Sequence, residues 1–128
     1  MENQIQLFTN QLFGNIRVLS IKGEPWFIGK DIALALGYVD TINALKQHIE
    51  KVDKDKVKLK TKGGPQTMTI INESGLYSLM MKSRMPLAKE IDFKKWLSNE
   101  IVPTVREFYT DNPLNMVRES YIKNNSDT

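Results

Sequence analysis

Between Lys54 and Lys62 the chain reads KDKVKLKTK, a lysine at every second position, with Gly63-Gly64-Pro65 directly behind it. A period of two belongs to the β-strand, where alternate side chains share a face. On a helix the same lysines would fall alternately on opposite sides of the axis. The stretch is therefore expected as a strand with one wet face, carrying Lys54, Lys56, Lys58, Lys60 and Lys62, and one inner face, carrying Val57 and Leu59. Two strand residues rise about 6.8 Å, so five lysines span roughly 27 Å if the strand stays extended. TMTII (67–71) then reads as the returning strand of a hairpin, joined across Thr61–Gln66.

The elements around this hairpin follow from the same kind of pattern. IQLF (5–8) is a short strand suited to a sheet edge, and NIRVLSIKG (15–23) carries apolar residues on both faces. Gly23-Glu24-Pro25 reads as a turn into WFI (26–28). KDIALALGY (30–38) places Ile32, Ala35 and Leu36 at helical spacing, with Gly37 as its stop. Asp40 or Thr41 can cap a second helix, TINALKQHIE, with Ile42, Leu45 and Ile49 as its apolar stripe and Asn43, Lys46, Gln47 and Glu50 outward. Asn72 is a cap for ESGLYSLMMKS, and Pro86 suits the first turn of a final helix. There Phe93, Trp96, Leu97, Ile101, Val105 and Phe108 repeat at helical spacing, Asp92 could cap a fresh start, and Pro103 predicts a kink or break. The order β-β-α-α-β-β-α-α makes an α+β fold. Residues 1–109 form the domain, and 110–128 read as a polar tail or the start of a linker.

Composition removes several classes of function. With 128 residues the chain is one domain; with no cysteine and one histidine it has neither disulfides nor a thiolate or histidine-rich metal site. No apolar run reaches the roughly 18–20 residues of a membrane span, and MENQIQLFTNQ lacks the basic and apolar regions of a signal peptide. The expected address is the cytoplasm. Paired catalytic carboxylates, nucleophile–histidine pairs and glycine-rich phosphate loops are not evident, so the chain is expected to bind without catalysing and to need no cofactor.

The net charge of +3 is small, but its placement is not even. Residues 51–62 hold six lysines against Asp53 and Asp55, whereas residues 63–128 balance eight basic against eight acidic residues. Localised positive charge favours polyanions. The lysine row thus has two open readings: phosphate contacts, which give affinity and salt dependence, or a wet strand face that also blocks edge-to-edge aggregation. The helices at 30–50 have the small residue (Ala33) and turn glycine (Gly37) of a helix-turn-helix, although the second helix begins about two positions late. On that reading Asn43, Lys46 and Gln47 of the 41–50 helix face a DNA groove, where Asn and Gln suit adenine and Lys suits guanine or phosphate. The other reading is a solvated helix face. His48 beside the stripe is expected to pack or to face water. Trp26, Phe27, Phe93 and Trp96 are expected in the core. Met80, Met81 and Met85 suit either core gaps or a patch for self-association or a partner.

Three segments in series, WFIGKDIALALGY (26–38), IINESGLYSLMMKSR (70–84) and FKKWLSNEIVPTVR (93–106), resemble the N-terminal domain of the BRO family of prophage antirepressors and large DNA viruses. The resemblance covers roughly residues 5–109. It implies a DNA-binding domain of a phage transcription regulator in a bacterial host, usually followed by a second domain, so that an end near residue 128 would mean a short member or a fragment. The alternative it leaves open is a protein-interaction module that inactivates a phage repressor by direct binding without contacting DNA.

Overall fold

The computed structural model describes residues 5–111. Strands β1 (Ile5–Asn10), β2 (Gly14–Ile21) and β3 (Glu24–Ile28) precede helices α1 (Gly29–Ala35) and α2 (Thr41–His48). A short 3-10 turn, Lys51–Asp53, leads into the hairpin β4 (Lys54–Thr61) and β5 (Gly64–Ile71). Helices α3 (Glu73–Lys82), α4 (Leu87–Trp96) and α5 (Val102–Asp111) follow. The five strands make one antiparallel sheet in the order β1-β2-β3-β5-β4. The fold is α+β, with IQLF pairing at an edge as expected; from residue 112 onward the expected polar tail lies outside the described residues.

The turns explain two departures from expectation. The β2–β3 loop is Lys22-Gly23, both with positive φ (54° and 81°), the pair of left-handed residues that a two-residue hairpin turn of matching twist requires. Pro25 is accordingly a strand residue opposite Ser20, not part of the turn. Its missing N–H falls on the side away from β2, where β5 has not yet joined: β3 and β5 pair only at Phe27–Ile71 and Ile28–Ile70. The second hairpin is likewise tighter than expected, with Thr61 opposite Gly64.

That short β3–β5 seam divides the sheet into a meander and a hairpin, and two cores result. On one face Ile16, Val18, Phe27 and Ile71 meet the helices through Ile32, Leu45, Leu76, Leu79, Phe93 and Leu97. Phe13 from the β1–β2 turn lies edge-on to Phe93 (5.1 Å) and stacked on Trp96 (6.0 Å), which fixes α4 to the sheet. On the other face the hairpin's Leu59 and Ile70 pack with Leu19 and Ile28, bordered by Trp26, Val57 and Met68. Among the described residues no helix contributes a buried side chain to this second core.

Helix ends follow the sequence closely. Asp40 accepts from the Asn43 N–H (3.1 Å) and Asn72 from the Gly75 N–H (2.9 Å), each an N-cap. Gly37, at φ +90°, ends the turn after α1. The final helix corrects an expectation: α4 runs through Asp92 without a fresh start. Before Pro103, where a kink or break is expected, the helix loses its regular form without breaking. A π-helical turn, Leu97–Ile101, intervenes, in which the Val102 N–H donates to the Leu97 carbonyl five residues back. The wider turn makes room where the proline ring would press on the preceding turn. It also keeps Trp96, Leu97, Ile101, Val102 and Val105 all buried.

Candidate nucleic-acid interface

The lysine row takes shape in β4, but with fewer free ammonium groups than its spacing suggests. Lys56, Lys58 and Lys60 are exposed and share a face with Thr69, Thr67 and Pro65 of β5. Val57 and Leu59 point the other way, into the second core. Lys62 is exposed but lies beyond the end of β4, in the turn. Lys54 departs further. Its Nζ donates to the Leu45 carbonyl at 3.0 Å, satisfying an end group of α2 and placing a cation at the negative pole of that helix. Lys54 therefore holds α2 against β4, and its ammonium is already engaged.

This tie brings the helix and the hairpin together. Ile42 and Lys46, one turn apart on α2, border a cavity of ≈ 540 Å³ with Lys51, Lys54, Lys56 and Thr69. Among the described residues four lysines converge there against one carboxylate, Asp55, whose Oδ1 accepts from the Lys56 N–H at 2.8 Å. Asn43 and Gln47 are exposed on α2 but do not line the cavity, and neither do Lys58, Lys60 or Lys62. Of the eight residues read from the sequence, the structure thus gathers Lys46, Lys54 and Lys56, adds Lys51, and leaves the others along the hairpin and the outer side of α2.

The expected apolar stripe of α2 is also corrected. Ile42 is 69% exposed, while Ala44, Leu45 and Ile49 are buried. The cause is the start of α1: a Cβ on Gly29 would stand 3.0 Å from both Leu45 methyls, so Leu45 is seated directly against that glycine backbone. Seating Leu45 there turns Ile42 toward the lysine cavity.

Two hydrogen-bonded links tie together elements next to the site. Asp31 on α1 accepts from the Arg17 Nε and Nη2 (2.8 Å each) and from the Arg17 backbone N–H (3.0 Å). That paired hydrogen bond, opposed by partial burial and aided by the carboxylate charge, raises the Arg17 pKa above its ordinary value. At the foot of β4, Asp53 receives the Asn72 Nδ2 (3.2 Å) and Ser74 Oγ (3.1 Å), while its carbonyl accepts from the Asn72 N–H. The 3-10 turn carrying Lys51 is thereby pinned to the N-terminus of α3. Neither support has a local sequence signal, since each joins residues 14 or more positions apart.

Among the described residues no cluster of three histidine or acidic side chains could hold a metal ion, and no helix is long and apolar enough to cross a membrane.

A model of the BRO family, N-terminal domain, matches residues 15–103. An uncharacterized protein of Haemophilus influenzae is 40% identical over 110 residues, 84% of this chain and 53% of its own length. The putative Bro-N domain-containing protein 289L of Invertebrate iridescent virus 6 is 35% identical over 73% of this chain and 26% of its own. The uncharacterized Bro-N domain-containing protein L2 of Acanthamoeba polyphaga mimivirus is 28% identical over 80% of this chain and 52% of its own. The chain thus spans between about a quarter and half of the length of these relatives. No solved structure gives a significant match.

Proposed function

This chain belongs to the BRO family through its N-terminal domain, and from that premise we propose that it is the non-enzymatic DNA-binding part of an antirepressor-like transcription regulator of a prophage, acting in the bacterial cytoplasm. The observation that carries the reading is the convergence of Lys46, Lys51, Lys54 and Lys56 between α2 and β4, continued along the hairpin by Lys58 and Lys60. Phosphate attracts such a surface irrespective of base sequence. On this reading Lys51, Lys56, Lys58 and Lys60 grip the backbone, with Lys62 at the turn. Lys54 positions α2, and Lys46 with Asn43 and Gln47 presents the base-reading face.

A salt titration of binding to a random duplex tests the proposal. Replacing Lys56, Lys58 and Lys60 by alanine is expected to make the slope of log affinity against log salt shallower by about 2.7, at roughly 0.9 per lost phosphate contact. Absence of duplex binding at low salt, together with a stable complex with a phage repressor, refutes it in favour of a protein-interaction module.

A further inference from the structure

A second cavity, of ≈ 630 Å³, lies on the opposite side of α2 and has no part in the DNA-binding reading. His48 borders it, whereas Lys46 borders the lysine cavity; two residues along a helix are separated by about 200°, so the two cavities meet different sides of α2. The floor of the second cavity is apolar, formed by Phe13, Leu36 and Met85. Lys82, Arg84 and Lys89 stand around it, and among the described residues no carboxylate lines it. Among the described residues none of these three cations forms a salt bridge. Two apolar side chains border the opening in contact with water: Leu12 is 64% exposed and Val39 is 98% exposed.

The walls are held in place before any ligand arrives. The Tyr38 hydroxyl donates to the Leu79 carbonyl (2.7 Å), joining the α1–α2 turn to α3. Ser83 Oγ donates to the Leu36 carbonyl (3.2 Å) and accepts from the Met85 N–H (2.9 Å), joining the same turn to the α3–α4 loop. Preorganised walls reduce the ordering cost of binding.

We propose that this cavity docks an acidic peptide segment of a partner protein, one that carries apolar side chains among its carboxylates. Charge complementarity selects the acidic partner: three cations without a facing carboxylate attract negative charge. The apolar component selects a peptide over a nucleic-acid backbone. A phosphate chain would use Lys82, Arg84 and Lys89 but leave Leu12, Val39 and the Phe13–Leu36–Met85 floor uncovered, whereas a leucine between two glutamates covers them while its neighbours meet the cations. The size lies within the roughly 300–1,000 Å³ of ordinary binding pockets. The inference stands independently of the DNA-binding reading, because the two cavities share no residue.

The test uses fluorescence anisotropy with a labelled synthetic peptide alternating Glu-Glu with Leu, the same peptide with serine in place of leucine, and a labelled random duplex. The full chain is expected to bind the Glu/Leu peptide and to bind its serine counterpart at least about tenfold more weakly, as the loss of buried apolar side chains requires. Arg84→Glu with Lys89→Glu is expected to weaken peptide binding at least about tenfold through like-charge repulsion, and to leave the slope of log duplex affinity against log salt unchanged. Val39→Ser, at a side chain in almost full contact with water, is expected to weaken the peptide without altering the thermal melt. Failure of the Glu/Leu peptide to bind overturns the proposal. So does equal binding of the serine peptide, which is charge attraction alone, or a loss of duplex binding without a loss of peptide binding in the charge-reversed variant, which makes the cavity a nucleic-acid contact.

Discussion

Lys54 and Lys58 sit four residues apart in β4 on one face, yet their surroundings differ. The Lys54 Nζ is 3.0 Å from the Leu45 carbonyl in the last turn of α2, whereas Lys58 is exposed opposite Thr67. A hydrogen bond to a charged group contributes roughly 1.5–3 kcal/mol when buried, and Lys54 is half-buried, so removing it is expected to cost about 1 kcal/mol. For a domain of this size that lowers Tm by about 4 °C. Lys54→Ala is therefore expected to melt earlier, with a change in salt slope well below one phosphate contact. Lys58→Ala is expected to melt as the parent does while its salt slope falls by about 0.9, which is roughly a 3.5-fold smaller loss of affinity between 50 and 200 mM salt. Differential scanning calorimetry and a salt series of duplex titrations read the two effects separately. The reasoning fails if Lys54→Ala keeps the parent's Tm and loses the same slope as Lys58→Ala, because its ammonium would then belong to the phosphate row and not to α2.

Asp31→Asn strips the Arg17 guanidinium of its charged partner on a largely buried side chain and is expected to cost about 2 kcal/mol in urea unfolding; an unchanged midpoint would show that the pair contributes nothing net. Gly75→Ala places a methyl 3.1 Å from the Asp53 carbonyl oxygen and 3.2 Å from Ile49 and Ile71. Although alanine favours a helix, net destabilisation of about 1–2 kcal/mol is expected from overpacking, and a higher Tm would contradict it. Burial raises the Tyr38 pKa, so the folded state keeps this proton to higher pH than the unfolded chain. Its contribution is complete below the unfolded value of about 10 and is lost as pH rises through the folded one. Tyr38→Phe is expected to flatten the fall of Tm over that alkaline window, and an equally steep fall would assign the titration to another group.

The parts of the fold legible in the sequence are those decided within a few residues. Alternation from Lys54 to Lys60, the Asp40 and Asn72 caps and the Gly37 stop all appear where the pattern places them, because strand pleat, orphan helix N–H groups and left-handed φ are local requirements. At Pro103 the sequence showed that a regular α-helix could not continue, but not that a π-turn would carry the chain through. The candidate site was legible only in its charge. Which lysines stay free depended on a partner nine residues away, the carbonyl of Leu45.

Local sequence thus determined the α+β elements, their caps, the wet face of β4 and, through three motifs in series, the family. Tertiary structure alone decided that β5 inserts between β3 and β4, that the hairpin folds over Leu19 and Ile28 into a second core, and that Leu45 rather than Ile42 is seated inside. It also decided that α2 borders a lysine cavity through Ile42 and Lys46 and a second, cation-rimmed one through His48. Periodicity specifies which side chains share a face of one element. Which face meets which neighbour depends on close approaches such as Gly29 to Leu45, set by the packing of distant segments.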